Sequence, residues 1–130
     1  MKNKKGFTLI ELMVVVVIIG VISLMGLRLY SNQQDKAKIA LLKANAGTVQ
    51  TLIQSELADK MITRDEAALY VADNAGLKNP YNGVAMNLPG WFPASATMPG
   101  QIQITLSDGV FYIQGHGADG LLPDILTAQR

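Results

Sequence analysis

The chain has 130 residues, 49% of them hydrophobic, and its 11 basic and 10 acidic side chains give a formal net charge of +1. This near-neutral charge provides no basic surface for nucleic acid, and a chain without cysteine has no disulfide, thiol chemistry or thiolate metal site. Positions 12–27 contain no charged residue. We therefore expect a membrane segment and one small domain.

The N-terminus combines a basic stretch, a glycine and one carboxylate within apolar sequence. Three lysines precede Gly6, and Glu11 is the only charged residue between positions 8 and 27. These 20 residues are enough to cross the hydrocarbon core of a bilayer, and the lysines place the N-terminus on the cytoplasmic side. A carboxylate in such a segment costs ~2.5 kcal/mol or more near the bilayer centre, so Glu11 needs a partner.

These residues resemble the N-terminal signature of type IV pilins and the related pseudopilins. In that family a basic leader ends in glycine, a prepilin peptidase cuts after it, and the new first residue is N-methylated. The resemblance covers roughly residues 1–30 and implies a leader of residues 1–6, cleaved between Gly6 and Phe7. It also implies N-methylation of Phe7 and a role in filament assembly for Glu11.

The spacing of Phe7 and Glu11 offers a physical reason for the motif. Cleavage would give Phe7 a free α-amino group, which is normally protonated at neutral pH, and Glu11 lies about one helical turn further on. In a bundle of helices, the amine of one subunit would pair with Glu11 of its neighbour only at the correct stagger, which is a register role for a buried charge pair. The alternative interpretation is that Glu11 merely extends to the membrane interface.

Three other interpretations of the N-terminus stay open. A secretory signal peptide has a similar basic start, but its small residues should be two apart, whereas Ser23 and Gly26 are three apart. An uncleaved single-pass anchor with an external binding domain fits the apolar span but leaves Gly6 and Glu11 unexplained. A pseudopilin of a type II secretion or DNA-uptake machine shares the whole N-terminal pattern with a pilin.

A long helix is predicted to continue beyond the span. Apolar residues recur at steps of three and four from Ile39 to Leu57, and no proline occurs before Pro80. We therefore predict one helix from Phe7 to about Asp59.

The predicted domains follow from this helix and from the resemblance. Residues 7–29 would form the transmembrane or filament-core half of the helix, and residues 30–130 a globular head that includes its second half. Many family members carry a proline at the position of Arg28, or a C-terminal disulfide, and this chain has neither. The segment 79–83 looks like a loop of some type IVb pilins, whereas the short leader and Phe7 look like the type IVa class, so the subclass stays open.

A second helix is predicted after a break at residues 59–62. Thr63 and Glu66 have the spacing of a capping box, and the helix should end between residues 74 and 76. We interpret Asp65 and Glu66 as acidic residues that favour the start of a helix, not as a catalytic pair.

A β-hairpin is predicted near the C-terminal end. Residues 101–106 alternate apolar and polar, residues 107–109 favour a turn, and residues 110–114 form a second strand. Its apolar face should cover the second half of the long helix, with Trp91 and Phe92 in the core or at a subunit contact. The expected fold is α+β, a helical spine packed against a small antiparallel sheet, as in pilins.

The C-terminal stretch contains the single histidine, His116, and three aspartates. Because Asp108, Asp119 and Asp124 lack the regular alternation of a calcium loop, we favour a solvated loop over a metal site. No catalytic motif is present, so we predict no enzymatic activity, no metal and no cofactor.

The resemblance also implies partners and a location. The partners would be further copies of the chain in a helical polymer, the prepilin peptidase and a membrane assembly platform, with no nucleic acid. The precursor would lie in the bacterial cytoplasmic membrane, and the assembled subunit in an extracellular filament.

Overall fold

The computed structural model describes Gly6 and residues 8–130 of the chain. Its elements, in chain order, are α1 (Leu9–Asp59), α2 (Arg64–Asn74), a short 3-10 helix (Pro89–Trp91), β1 (Ile102–Ser107), β2 (Val110–Gly117), β3 (Gly120–Leu121) and β4 (Leu126–Gln129). The chain divides into two units, Met1–Lys36 and Ala37–Arg130, and α1 contributes residues to both. The predicted start of the long helix at Phe7 lies outside the described residues.

In the first unit, the stretch of α1 from Leu12 to Leu27 is apolar on every side. The large apolar side chains from Leu9 to Tyr30 are 45–73% exposed. Because uncharged residues occupy all positions from 12 to 27, this segment has no polar face that water would solvate. In length and composition α1 is suited to crossing a membrane, the one such helix among the residues that the structure describes.

In the second unit, α1 buries a single stripe against the sheet. The stripe repeats at steps of three and four, which place its members on one face of a helix, and comprises Leu42, Ala46, Val49, Ile53 and Leu57. These side chains share one core with Ile104 of β1 and with Phe111 and Ile113 of β2. The predicted packing of a helical spine on an antiparallel sheet is confirmed.

α2 begins and ends where the sequence predicts. Thr63 is its N-cap: the Thr63 hydroxyl accepts a hydrogen bond from the Glu66 backbone N–H at 3.2 Å, and the Thr63 N–H donates to the Glu66 carboxylate at 2.7 Å. The helix ends at Asn74, and Gly76 follows with a φ of +61°. Glu66 therefore caps the start of α2, as the predicted capping box requires.

The sheet is centred on β2, with β1 on one side and both β3 and β4 on the other. The predicted hairpin is confirmed, and its turn residues Asp108 and Gly109 both have positive φ, 51° and 79°, as a tight two-residue hairpin requires. Leu106, predicted to face the core, is 39% exposed because it lies near the end of β1.

Two predictions for the C-terminal part are corrected. β2 extends to Gly117 instead of ending near residue 114, and the segment taken for a solvated loop contains β3 and β4. These strands are two and four residues long and receive their hydrogen bonds from β2. Strands this short carry too few residues to show alternation, so only pairing with a neighbour defines them.

Close approach of α1 to the sheet depends on Gly115. A Cβ atom at this position would lie 2.8 Å from Cγ of Leu42, which is shorter than a normal contact. Leu42 itself is fully buried. The glycine therefore allows the helix and the central strand to pack directly against each other.

Candidate functional site

The residues that the motif singles out lie at the start of α1. Glu11 is in the first turn of the helix, and its carboxylate accepts a hydrogen bond from the backbone N–H of Thr8 at 3.1 Å. In return, the Glu11 N–H donates to the Thr8 hydroxyl at 3.2 Å. These two bonds form a reciprocal capping box, which satisfies two of the free N–H groups at the helix start.

Sequence reasoning missed Thr8. The signal was nevertheless present, because Thr8 and Glu11 have the same spacing as Thr63 and Glu66, for which a capping box was predicted. The charge of Glu11 suggests a role in assembly, whereas its spacing from Thr8 also predicts the start of a helix. The structure thus gives Glu11 a local hydrogen-bonding partner within its own chain.

The expected cleavage site lies between Gly6 and Phe7, just before α1. Gly6 is exposed and lies before the first residue of α1, whereas Phe7 lies outside the described residues. Cleavage between them, and methylation of Phe7, therefore stay predictions.

On the C-terminal side of Glu11, the helix is free of other charges over about four turns. From Leu12 to Leu27 the chain contains no charged residue, and Arg28 is the next. Glu11 and the apolar residues after it are exposed on the isolated chain. Such a surface is unsuited to water and requires lipid or other protein to cover it.

The acidic residues of the C-terminal part do not converge on His116. Asp108 lies in the β1–β2 turn, and Asp119 lies between β2 and β3. Asp124 forms an ion pair with Lys43, Nζ to Oδ2 at 3.0 Å, with both side chains largely exposed. Among the described residues no group of three or more histidine or acidic side chains is placed to hold a metal.

A cleft of about 460 Å³ lies beside the Lys43–Asp124 ion pair. Ala46 of α1 and Leu126 of β4 are among its lining residues, together with the segment 122–125. An exposed ion pair of this kind contributes at most about 1 kcal/mol. Ligand sites combine an apolar lining with a few convergent polar groups, and the described lining offers only this pair, which is already satisfied.

Comparison with known proteins identifies the N-terminal motif. The family model described as the prokaryotic N-terminal methylation motif matches residues 1–27. These residues include the glycine, the phenylalanine and the glutamate from which the resemblance was inferred. The match ends within the apolar part of α1 and does not reach the second unit.

Curated relatives extend the similarity further along the chain. A fimbrial protein, EcpB, of Eikenella corrodens is 43% identical over 58 residues, which are 45% of this chain and 36% of that protein. A probable minor fimbrial protein of Dichelobacter nodosus is 33% identical over 87 residues, 67% of this chain and 55% of that protein. A type IV major fimbrial protein, FimA, of the same organism is 38% identical over 56 residues, 43% of this chain and 36% of that protein.

The chain spans between 36% and 55% of the length of these relatives, and no solved structure matches it. The long apolar helix and the small antiparallel sheet match an α+β pilin fold, and the methylation motif agrees with it. Together with the fimbrial relatives, they support the type IV pilin family for this chain. The three relatives are named as fimbrial proteins, and none of the three names denotes an enzyme.

Proposed function

We propose that this chain is a structural subunit of a type IV pilus-like surface filament. The observation that carries the proposal is the first part of α1, where a methylation motif leads into a helix whose large apolar side chains are exposed from Leu9 to Tyr30 and which carries no charge from Leu12 to Leu27. This surface needs a non-aqueous environment both before and after assembly.

The apolar helix would be covered first by lipid and then by other copies of itself. In the cytoplasmic membrane, lipid covers the apolar helix, and packing between copies gains little from hydrophobic burial because lipid tails are equally apolar. In an extracellular filament there is no lipid, and only other copies of the same helix can exclude water. Residues 7–29 would therefore become the filament core, while residues 30–130 form the head.

Processing would prepare the helix for this exchange. A prepilin peptidase would cleave between Gly6 and Phe7, remove the three leader lysines, and leave eight basic and ten acidic side chains, a net charge of −2. The lysines hold the N-terminus at the cytoplasmic surface, so their removal allows the subunit to leave the membrane. A membrane assembly platform would then add the subunit to the filament.

Glu11 would control the stagger between subunits. In the single chain its carboxylate has the Thr8 N–H as a partner, but one neutral donor leaves the negative charge uncompensated. The protonated amine of Phe7 on a neighbouring copy would supply that compensation. Because an unpaired charge inside a protein bundle is far costlier than a paired one, incorrectly staggered subunits would be disfavoured.

The relatives favour a pilus over the other possibilities. Each of the three is named as a fimbrial protein, and none as a secretion pseudopilin or an anchored binding protein. The two alternatives also differ from a pilus subunit in where the mature protein would be found. A pseudopilin would be processed but confined to the cell envelope. An anchored binding domain would keep residues 1–6 and remain a single-pass membrane protein.

Intact-mass analysis separates these possibilities. The protein would be recovered from material sheared from the surface of its native cells, and in parallel from the membrane fraction. A sheared species that begins at Phe7 and is one methyl group heavier than its sequence is the expected result. A processed species found only in membranes would instead indicate a pseudopilin, and an unprocessed chain beginning at Met1 would refute the filament proposal.

A further inference from the structure

The outer edge of the sheet at β4 is closed by two side chains of α1. β4 pairs with β2 along one side, and Thr127 and Gln129 direct their backbone groups to the other side. Gln50 Nε2 donates to the Thr127 carbonyl at 2.7 Å, and Gln54 Nε2 donates to the Gln129 carbonyl at 2.7 Å. The Gln129 N–H in turn donates to Gln54 Oε1 at 3.2 Å. Three of the four outward groups of these two residues are thus bonded.

The spacing of the two glutamines matches the strand. Gln50 and Gln54 are four residues apart, roughly 6 Å along a helix, and Thr127 and Gln129 are two residues apart, roughly 6.6–6.8 Å along a strand. Two helix residues on one face can therefore reach two successive outward positions of the strand. Glutamine suits both contacts because its amide offers donors and an acceptor on a long side chain.

The opposite edge of the sheet, at β1, is also occupied. The Ile104 N–H donates to the Pro93 carbonyl at 2.9 Å. Arg64 Nη1 lies 3.4 Å from the Ile104 carbonyl and 3.0 Å from that of Phe92. At Ile104, the β1 edge is therefore bonded to groups from elsewhere in the same unit.

An open strand edge is a template for pairing with another chain. The risk is greatest for a protein whose copies are concentrated side by side, as pilin subunits would be in a membrane or a filament. We propose that Gln50 and Gln54 make the self-association of this chain specific, because they close the β4 edge and leave the N-terminal helices as the route of assembly. This inference rests on the proposed function, since only a self-assembling chain needs such a restriction.

The test compares two double variants of the full chain, purified in detergent that covers the apolar helix. In the first, Gln50→Ala and Gln54→Ala remove the amides. In the second, the matched control, Thr51→Ala and Ser55→Ala change the adjacent exposed positions on the same turns of α1. The Thr51 hydroxyl bonds only within its own helix, to the Gly47 carbonyl, so the control leaves the sheet edge closed.

The first readout is amide hydrogen exchange at Gln129. Loss of the Gln54 acceptor should accelerate exchange of this N–H about tenfold, the scale expected for one lost hydrogen bond. The second readout is the mass of the protein–detergent complex against concentration, by sedimentation. We expect the glutamine variant to form dimers and larger species at concentrations where the parent and the control show none.

A third substitution identifies the edge responsible. Thr127→Pro, added to the glutamine variant, places proline where the backbone N–H points away from β2, so it keeps the pairing with β2 while blocking a further strand. It should restore the mass of the parent. A glutamine variant that shows the parent's mass at every concentration, or one whose association persists with Thr127→Pro, would overturn the proposal.

Folding is monitored through Trp91, the single tryptophan, which packs against the core of the second unit. If the double variant unfolds, Gln54→Ala alone opens both groups of Gln129 and keeps the Gln50 bond, and the same outcomes apply to it. Intact-mass analysis of sheared filaments tests the proposed function independently. A processed surface filament whose glutamine variant does not associate in detergent would refute the edge proposal alone.

Discussion

The two parts of α1 use the same backbone geometry for opposite purposes. From Leu9 to Tyr30 the helix exposes apolar side chains in all directions, whereas from Leu42 to Leu57 it buries one stripe and leaves its other faces polar. The second part satisfies its apolar stripe within its own chain, through the sheet. The first part has no such partner among the described residues. A helical segment that is apolar without periodicity therefore predicts a partner outside the chain, and one with a periodic apolar stripe predicts a partner within it.

Substitution of Glu11 should have the largest effect on assembly. Glu11→Ala removes both the capping carboxylate and the charge, and we expect an inserted, stable subunit that yields no sheared filaments. Glu11→Gln separates the two contributions, because glutamine also serves at this position of a capping box but carries no charge to neutralise a protonated amine. We expect filament yield, measured by immunoblot of the sheared fraction, to be lost for both variants. Normal filaments from Glu11→Gln would show that capping, not charge, is what assembly requires.

Large-to-small substitutions should distinguish the two parts of α1 by stability. Ile53 is fully buried and Ile22 is 62% exposed. Ile53→Ala should lower the free energy of unfolding of the head by about 2–5 kcal/mol because it leaves a cavity. Ile22→Ala should leave that free energy unchanged. Denaturant unfolding of the full chain in detergent, followed by Trp91 fluorescence, measures both, and equal losses would mean that the two parts do not differ as described.

The contact between α1 and β2 should be sensitive to added volume. Gly115→Ala introduces a Cβ atom 2.8 Å from Leu42, and we expect a loss of about 1–3 kcal/mol in the same unfolding assay. Gly47 provides the control, since a Cβ atom there meets nothing within 4 Å. Gly47→Ala lies in the interior of a helix and should instead stabilise by about 0.5–1 kcal/mol. A neutral Gly115→Ala would contradict the close packing of the helix on the sheet.

Substitutions in the two capping boxes should have the smallest effects. Only the one at the start of α2 should change the free energy of unfolding of the head. Thr63→Ala should destabilise the head by about 1 kcal/mol, because the first turn of α2 loses its side-chain acceptor, and Thr63→Ser should recover most of this loss. Thr8→Ala removes the equivalent hydroxyl at the start of α1 and should leave the unfolding of the head unchanged. A shift of the Trp91 transition in Thr8→Ala would show that the two helix starts are energetically coupled.

Several elements could be predicted from local pattern because local chemistry defines them. The end of α1 at Asp59, the N-cap at Thr63 and the Asp108–Gly109 turn each depend on residues within a few positions of one another. Helix periodicity and capping express interactions between near neighbours. The α+β fold followed from these elements together with the family resemblance.

The strands β3 and β4 and the ion pair of Asp124 were not predicted, because they depend on long-range contacts. β3 and β4 are too short to carry a pattern of their own, and their pairing with β2 brings together residues that the sequence separates by turns of irregular length. Asp124 similarly was grouped with His116 by sequence proximity, whereas folding pairs it with Lys43, 81 positions away. Contacts between residues distant in sequence depend on the path of the whole chain, which a local pattern does not encode.

A methylation motif, an apolar span with one carboxylate and a periodic helix beyond it are all evident from local sequence, because each is a property of residues adjacent along the chain or the helix. How the sheet is completed, and how its β4 edge is closed, depends on long-range packing. In the sequence, Gln50 and Gln54 look like ordinary surface residues of a helix. They gain backbone partners only because β4 lies beside α1 in the fold. The physical reason is that an outward strand edge exists only after long-range pairing has formed it, so its protection becomes visible only in the fold.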